Sequence, residues 1–467
     1  MAPERRHMTA IIDSPPLVAP NVVPRLERLP MSGYQRRLFG IIATAWFFDS
    51  MDLGVMTFML GSIKSEFGLT AAQTGLLASS SFFGMALGAA IAGMLADKFG
   101  RKPVFQASMI FWGIGSLMCG FSNNVESLML WRVLLGFGMG MEFPIGLSMV
   151  SELVPAKSRG RYVAVLEGFW PLGFIAAGLL TFACLAAIGW RGIFIVLAVP
   201  AVFVFIVRRF VPESPRWLED QGRMDEADFV TTNFEAKVMA SLGVSSLPAF
   251  IAAGPAPKLD RRALFAELWQ GIYAKRTLML WTLWLFALLG YYGLTTWLGA
   301  LLQQAGYAVT KSVLYTILIS LAGVPGFIFS AWLLETWGRK GTCVLMLVGS
   351  AIAAYVYGQA AASHAPVEQL IAAGLAMQFF LFGMWSVLYA YTPELYPTRV
   401  RATGAGFASA IGRVGSLLGP YIVGVVLPVT GPGGVFTLGA TSFCIAALVV
   451  ALFGIETRGR SLEEVSK

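Results

Sequence analysis

An all-α membrane protein of twelve transmembrane helices, arranged as two pseudo-symmetric six-helix bundles, is what this sequence predicts. Three observations carry that expectation. Apolar residues make up 57% of the chain and charged residues only 13%, so the composition is that of a chain with little water-facing surface. Runs of about 20 apolar residues recur along it, the length that crosses a bilayer as a helix. Finally, the chain repeats itself. Asp97-Lys98-Phe99-Gly100-Arg101-Lys102 returns as Glu335-Thr336-Trp337-Gly338-Arg339-Lys340, each after a long apolar run. Glu152 and Pro155 lead to Arg159 at the same spacing by which Glu394 and Pro397 lead to Arg401. Duplicated apolar halves are the mark of secondary transporters.

The elements follow in order. Residues 1–36 contain Pro15, Pro16, Pro20, Pro24 and Pro30 and no apolar core with a cleavage site, which predicts a cytoplasmic tail and not a signal peptide. Six spans are expected at 37–61, 73–96, 103–121, 126–151, 162–185 and 190–209, making a first bundle over 37–209. Residues 210–275 are the one long polar stretch, a linker with helical periodicity at Met224 to Leu242 and at Arg261 to Tyr273. In the latter, Leu264, Leu268 and Ile272 predict an apolar stripe lying under the bundles. The second bundle covers 276–456, with spans at 276–302, 312–336, 341–361, 367–392, 402–426 and 433–455, and 457–467 form a tail.

With the N-terminus inside, 29 of the 34 Lys and Arg fall in cytoplasmic segments, and only Lys64, Arg191 and Lys311 fall in outer loops. Arg132 and Arg413 lie within spans. This bias predicts both termini in the cytoplasm and a plasma-membrane location, the inner membrane if the source is bacterial. The net charge of +8 then reflects topology and gives no reason to expect a nucleic-acid partner. Cys119, Cys184, Cys343 and Cys444 lie in or at the ends of spans without a paired spacing, so packing is expected and a disulfide framework or metal site is not. No cofactor is implied. The absence of a phosphate-binding glycine loop leaves an ion gradient, or the substrate's own, as the energy source.

Together these strings resemble the major facilitator superfamily: the two GlyArgLys loops, Arg132 with Gly136 opening the fourth span, Glu152 to Arg161, Pro212-Glu213-Ser214-Pro215-Arg216-Trp217 after the sixth span, and Pro393-Glu394-Leu395-Tyr396-Pro397-Thr398 after the tenth. The resemblance covers residues 37–460. Within the superfamily the ProGluSerProArgTrp string is similar to the branch of sugar porters and metabolite:proton symporters, which includes niacin transporters and synaptic vesicle glycoproteins.

Six acids and six arginines at the loop ends are candidate gate residues: Asp97, Glu152 and Glu213 with Arg101, Arg159 and Arg216, then Glu335, Glu394 and Glu456 with Arg339, Arg401 and Arg458. The expectation is that they pair and hold the halves together when the inner gate closes; orientation by positive charge alone is the other reading.

Charges inside the spans are costly unless they face a cavity or a partner. Counted at about 1.5 Å per residue, Asp49, Glu142 and Arg413 reach mid-membrane, while Asp52 and Arg132 lie in the outer half. Asp49 and Asp52 are three apart and share a helix face. Asp52-Leu53-Gly54-Val55 resembles the first-span site at which proton-coupled sugar porters carry an Asp, and Arg132 takes the place of its Arg partner. The resemblance therefore implies Asp52 as proton carrier, with Asp49 and Arg132 beside it; a permanent ion pair is the alternative. Glu142 precedes Phe143 and Pro144, where a mid-span proline bends the helix and frees a carbonyl, so it is either a ligand group or a buried hydrogen-bonded carboxyl. Glu167, roughly 8 Å from the inner end, is assigned a gate or structural role. Arg413 is the substrate candidate because a guanidinium takes a carboxylate bidentately; its alternative is pairing with an acid of the other half such as Glu142.

The sugar-binding amides of the resembled branch are missing, with Glu167 and Phe174, then Phe286, Ala287 and Tyr292, at the matching positions. Aromatic residues gather instead: Phe47, Phe48, Trp170, Tyr291, Tyr292, Trp297, Trp385, Tyr389 and Tyr391. Aromatic faces plus a cation suit a flat ring bearing a carboxylate, although Trp and Tyr also form interfacial belts. Glycines four apart (Gly84 and Gly88, Gly136 and Gly140, Gly415 and Gly419) predict close helix packing. The expected function is proton-coupled import of a small organic anion, nicotinate or a similar aromatic monocarboxylate, by a monomer in the lipid bilayer, with protons as the second partner. A sugar or polyol symporter and a non-transporting sensor are the alternatives. No nucleophile, base and orienting group assemble from the motifs, so an enzyme is not expected.

Overall fold

The structure is a computed structural model that describes residues 22–249, 265–397 and 400–458. Apolar helices dominate the described residues, and ten helical stretches are long and apolar enough to cross a membrane. Two of them are double. Ala156–Ala198 is broken at Gly189, whose φ of 64° turns the fifth span into the sixth, and Arg401–Phe453 is broken the same way at Gly431, with φ 65°, between the eleventh and twelfth. These two turns bring the spans to the expected twelve.

The first four spans are Gly33–Phe67, Ala71–Phe99, Arg101–Gly120 and Val125–Leu153. The seventh to tenth are Gly271–Gln304, Val309–Leu321 continued by Gly323–Thr336, Arg339–Ala362 and Val367–Glu394. Local chemistry fixes several ends. Ser32 with Gln35 and Thr70 with Gln73 form reciprocal capping boxes, and Asn124 caps through the Ser127 N–H. Large apolar side chains such as Met94, Leu130, Val199, Ile328 and Leu452 are exposed, which in a membrane is the lipid-facing surface.

Small residues let the helices approach backbone to backbone. Gly84 and Gly88 of the second span lie on Val133 and Phe137 of the fourth, where Gly136 and Gly140 answer on Ser81 and Met85. Gly415 and Gly419 of the eleventh span lie on Leu285 and Leu289 of the seventh. The halves themselves meet away from the GlyArgLys loops: Gly75 lies on Pro420 and Tyr421, Gly424 on Ala71, and Gly299 on Thr57. We call the end that carries the GlyArgLys loops the basic face.

Met224–Leu242 is a helix as its periodicity predicts. It docks beside the short helix Val22–Glu27, where Glu235 accepts from Arg25 (2.7 and 3.2 Å) and Arg28 (2.6 Å). The expected helix from Arg261 to Tyr273 is corrected. Residues 265–267 are helical, a turn follows, and the seventh span starts at Gly271 with φ 53°. Leu268 is buried and Ile272 exposed, so they share no stripe. Left-handed backbone at Gly271 resets the helix phase. Arg261, Leu264, Thr398 and the tail expectations on residues 1–21 and 459–467 lie outside the described residues.

Candidate substrate and coupling site

The duplicated loops build the same cluster twice at the basic face. Gly100 and Gly338 have φ of 102° and 108°, backbone open to glycine, and each starts a helix whose first N–H groups need acceptors. Glu213 supplies one carboxylate oxygen to the N–H groups of Arg101 (2.9 Å) and Lys102 (3.2 Å). Glu456 caps the equivalent turn with both of its oxygens, one accepting from the Arg339 N–H (2.9 Å) and the other from the Lys340 N–H (3.1 Å). Burial pushes the Glu456 carboxyl up, but backbone N–H donors from Arg458, Arg339, Lys340 and Thr457 outweigh it and hold the group below the ordinary carboxylate value. Arg101 then faces Glu152 at 3.9 Å and Asp97 at 3.3 Å, and Arg339 faces Glu394 at 3.0 Å and Glu335 at 3.6 Å. The hydroxyls of Ser214 and Thr457 complete the match by donating to Glu152 and Glu394.

This corrects the expected pairing. Glu152, Glu213, Glu394 and Glu456 engage the arginine of the GlyArgLys loop or its backbone, whereas Arg159 and Arg216 turn to Glu27, at 3.9 and 3.5 Å. The Arg401 guanidinium donates to the Pro393 carbonyl at 3.0 Å, and Arg458 meets Glu456 through its N–H at 2.9 Å. The pairs named here lie within one half each and do not bridge the halves. The physical reason is capping: the two helix N-termini recruit the carboxylates first.

Deeper in the bundle, Asp49 and Asp52 of the first span are both buried. Asp52 meets Arg132 of the fourth span at 3.7 Å, with neither side chain exposed. That separation is longer than a hydrogen bond, and among the described residues none of the three guanidinium nitrogens of Arg132 has a hydrogen-bond acceptor. The Phe194 ring lies 5.7 Å from the guanidinium carbon. Asp49 is within Coulombic reach of Asp52, Glu142 and Arg413.

Between that pair and the basic face lies a cavity with about 430 Å³ of space between its lining atoms, open solvent included. Arg413 lines it, placed 5.0 Å over the Phe143 ring and 3.9 Å from the Met85 sulfur. The Trp385 and Tyr389 rings stack at 5.8 Å with an interplanar angle of 20°, and Tyr292 and Trp170 close further sides. The Trp385 indole N–H and one Glu167 oxygen are buried there with no hydrogen-bond partner among the described residues. The result is a largely apolar cavity whose wall carries one cation, one indole donor and one acid; the cation, the donor and the stacked rings suit a planar anion.

Several expected residues lie elsewhere. Trp297 is fully buried and its indole donates to the Pro420 carbonyl at 3.0 Å, an anchor between the seventh and eleventh spans. Glu142 faces Ser108 at 3.5 Å outside the cavity lining, and Phe48 packs on Phe47. Tyr391 donates to the Ile455 carbonyl at 2.7 Å. Tyr291 borders a second chamber. In the other direction, Glu167 belongs to the cavity and not to the gate, and Phe143, Phe327 and Phe382 line it unannounced. The spacing of Glu167, Trp170 and Pro171, within about one helical turn, is the sequence signal that places them on one side of the fifth span.

Comparison with known proteins agrees with the architecture. Residues 39–467 match the family model described as sugar (and other) transporter. The niacin transporter NiaP of Acinetobacter baylyi is 36% identical over 446 residues, covering 95% of this chain and 99% of that protein. The putative niacin/nicotinamide transporter NiaP of Bacillus subtilis is 32% identical, covering 92% of this chain and 98% of that protein. Among solved structures, the inward open conformation of the xylose transporter XylE from Escherichia coli superposes with a TM-score of 0.73 at 19% identity, covering 92% of this chain and 99% of that one. With its duplicated six-helix halves and its matched family model, this chain belongs to the sugar (and other) transporter family of the major facilitator superfamily and is a multi-pass membrane transporter.

Proposed function

We propose that the protein is a proton-coupled symporter that imports a small aromatic monocarboxylate, nicotinate or a close analogue, by alternating access. The observation that carries this reading is Arg413 set in a cavity walled by Phe143, Trp170, Tyr292, Trp385 and Tyr389. A guanidinium in a low-dielectric slot favours a carboxylate, and stacked rings favour a flat one. The names of the two similar niacin transporters support the same substrate. Asp52 is the proton carrier in this reading, with Arg132 as its counter-ion and Asp49 as its neighbour; protonation releases the pair and changes which gate opens.

In the same reading residues 37–209 and 276–456 are the moving bundles, joined by the linker 210–275, and the basic face with both termini is cytoplasmic. The gate in this reading is the charged set Asp97, Arg101, Glu152, Arg159, Glu213 and Arg216 of one half, which comes together with Glu335, Arg339, Glu394, Arg401, Glu456 and Arg458 of the other when the inner side closes. The close approach of Gly75 to Pro420 and of Gly424 to Ala71 supports an outer side that is shut in this conformation.

Uptake of labelled nicotinate into proteoliposomes under an imposed inward proton gradient tests the proposal, with benzoate and xylose as competitors. Accumulation that benzoate inhibits and xylose does not is the expected result. Inhibition by xylose alone points to a sugar symporter, and saturable binding without accumulation points to a sensor.

A further inference from the structure

A second cavity of about 380 Å³ lies beyond the first, on the side away from the basic face, and shares Trp170 and Tyr292 with it. Arg132 lines this chamber together with the hydroxyl-bearing Ser50, Thr57, Thr295 and Thr296. Its guanidinium is wholly buried, and its Nε and both terminal nitrogens have no acceptor among the described residues. Asp52 balances the charge from 3.7 Å, longer than a hydrogen bond. A guanidinium carries five N–H donors in a fixed fork, and leaving them unmatched in a dry site is costly. The chamber is therefore lined by a cation with unused capacity for a bidentate oxyanion.

We propose that Arg132 and this chamber form a second carboxylate subsite, occupied when Asp52 is neutral, so that the substrate carboxylate and the Asp52 carboxylate take turns as counter-ion to one guanidinium. The inference rests on the aromatic-monocarboxylate reading and adds to it a route and a coupling rule. While Asp52 is ionised it supplies the one negative charge that Arg132 needs, and a second anion would leave excess charge in a dry site. A proton on Asp52 removes that balance, and one carboxylate restores it. The guanidinium and its partners are neutral in both states, so one proton admits one anion. Trp170 and Tyr292, common to both chambers, form the wall past which the ring moves to Arg413.

The charged and titratable groups that face Arg132 are Asp52 from the first span and Cys119 from the third, with the Phe194 ring on the sixth. Ser116 and Trp112 of the third span lie against Asp52, and Asp49 sits one turn away.

Equilibrium binding of labelled nicotinate and of labelled benzoate to the full-length purified protein tests this. The series is wild type, Arg413→Ala, Arg413→Ala with Asp52→Asn, and that double variant with Arg132→Gln added. Arg413→Ala is expected to weaken binding at least tenfold, Asp52→Asn to recover at least fivefold of the loss, and Arg132→Gln to abolish the recovery. Asp52→Asn leaves Arg132 without its counter-ion, so the melting temperature of every variant is measured beside its binding to show that it is folded; Arg132→Gln then removes the unpaired charge. Arg132→Lys in the same background keeps the charge and loses the fork, and should recover at least threefold less than arginine does. If wild type binds both acids through Arg413 and Asp52→Asn recovers nothing, the second subsite is wrong and the proposed substrate stands. Recovery that survives Arg132→Gln, or full recovery with lysine, also overturns it. If wild type binds neither acid, the substrate reading falls and this inference with it.

Discussion

Asp52 on the first span and Arg132 on the fourth face each other at 3.7 Å, and no solvent reaches either side chain. Such a pair is held in place by the cost of breaking it, because removing one partner strands a charge in a medium that cannot hydrate it. Arg132→Ala alone should therefore destabilise the protein by about 3–5 kcal/mol. The double variant Asp52→Asn with Arg132→Gln should recover most of that loss. Thermal unfolding of the detergent-solubilised protein measures both, and equal destabilisation of single and double variants would show that packing, not charge, sets the cost.

Asp52→Asn alone should abolish accumulation driven by a proton gradient and leave nicotinate counterflow between loaded liposomes in place. Counterflow reports the carrier cycle without its driving ion. Gradient-driven accumulation that persists in this variant would remove Asp52 from the coupling scheme.

Arg413 stands over the Phe143 ring in the wall of the larger cavity. A charge-assisted hydrogen bond contributes about 1.5–3 kcal/mol, so Arg413→Ala should weaken nicotinate binding roughly ten- to hundredfold. Isothermal titration of the purified protein gives the value, and an unchanged Kd would mean the carboxylate sits elsewhere.

Gly136 lies on the Ser81 backbone, so any added side chain must push the second and fourth spans apart. Gly136→Val should lower stability by about 1–3 kcal/mol. Gly406, with open space around the position a Cβ would take, is the control, and Gly406→Ala should leave the melting temperature nearly unchanged. Similar melting temperatures for the two variants would contradict the packing described for this helix pair.

Glu235 gives a pH dependence whose sign is fixed. Burial alone would raise its carboxyl, but Arg25 and Arg28 outweigh burial and hold it below the ordinary value of 4.5. A depressed carboxylate contributes its docking strength in full above its unfolded value and loses it as pH falls through the lower folded one. Protection of residues 224–242 from protease should thus be constant from pH 7 to about 5 and decline in more acid solution. Glu235→Gln should show weak protection with little pH dependence, and protection rising on acidification would reverse the assignment.

The reading of the chain and the structure agree where the physics is local. Apolar length sets a span and glycines four apart set a close helix contact, so the twelve spans and the close packing at Gly84, Gly88, Gly136 and Gly140 were legible residue by residue, whereas the facing of Asp52 and Arg132 was implied by family resemblance and not by local physics. The two-span helices needed only one glycine each, Gly189 and Gly431, at positive φ.

Trp297 and Glu167 mark the limit. Composition put Trp297 among the ligand-facing aromatics, yet its indole is taken by the Pro420 carbonyl across a helix pair more than a hundred residues apart in sequence. Depth alone gave Glu167 a gate or structural role, and the rotation of the fifth span turns it into the cavity with Arg413. Glu213-Ser214 and Glu456-Thr457 are equivalent only in space, since Pro215 follows one pair and Arg458 the other.

What the amino-acid sequence determined by itself is the number of crossings, their duplication, and the identity of the buried charges, because hydrocarbon penalises each residue wherever it falls. Which of those charges meet, and which side chains share a cavity, was decided by the tertiary structure alone. That choice depends on how each helix is rotated against its neighbours, a relation between distant residues that no local energy encodes.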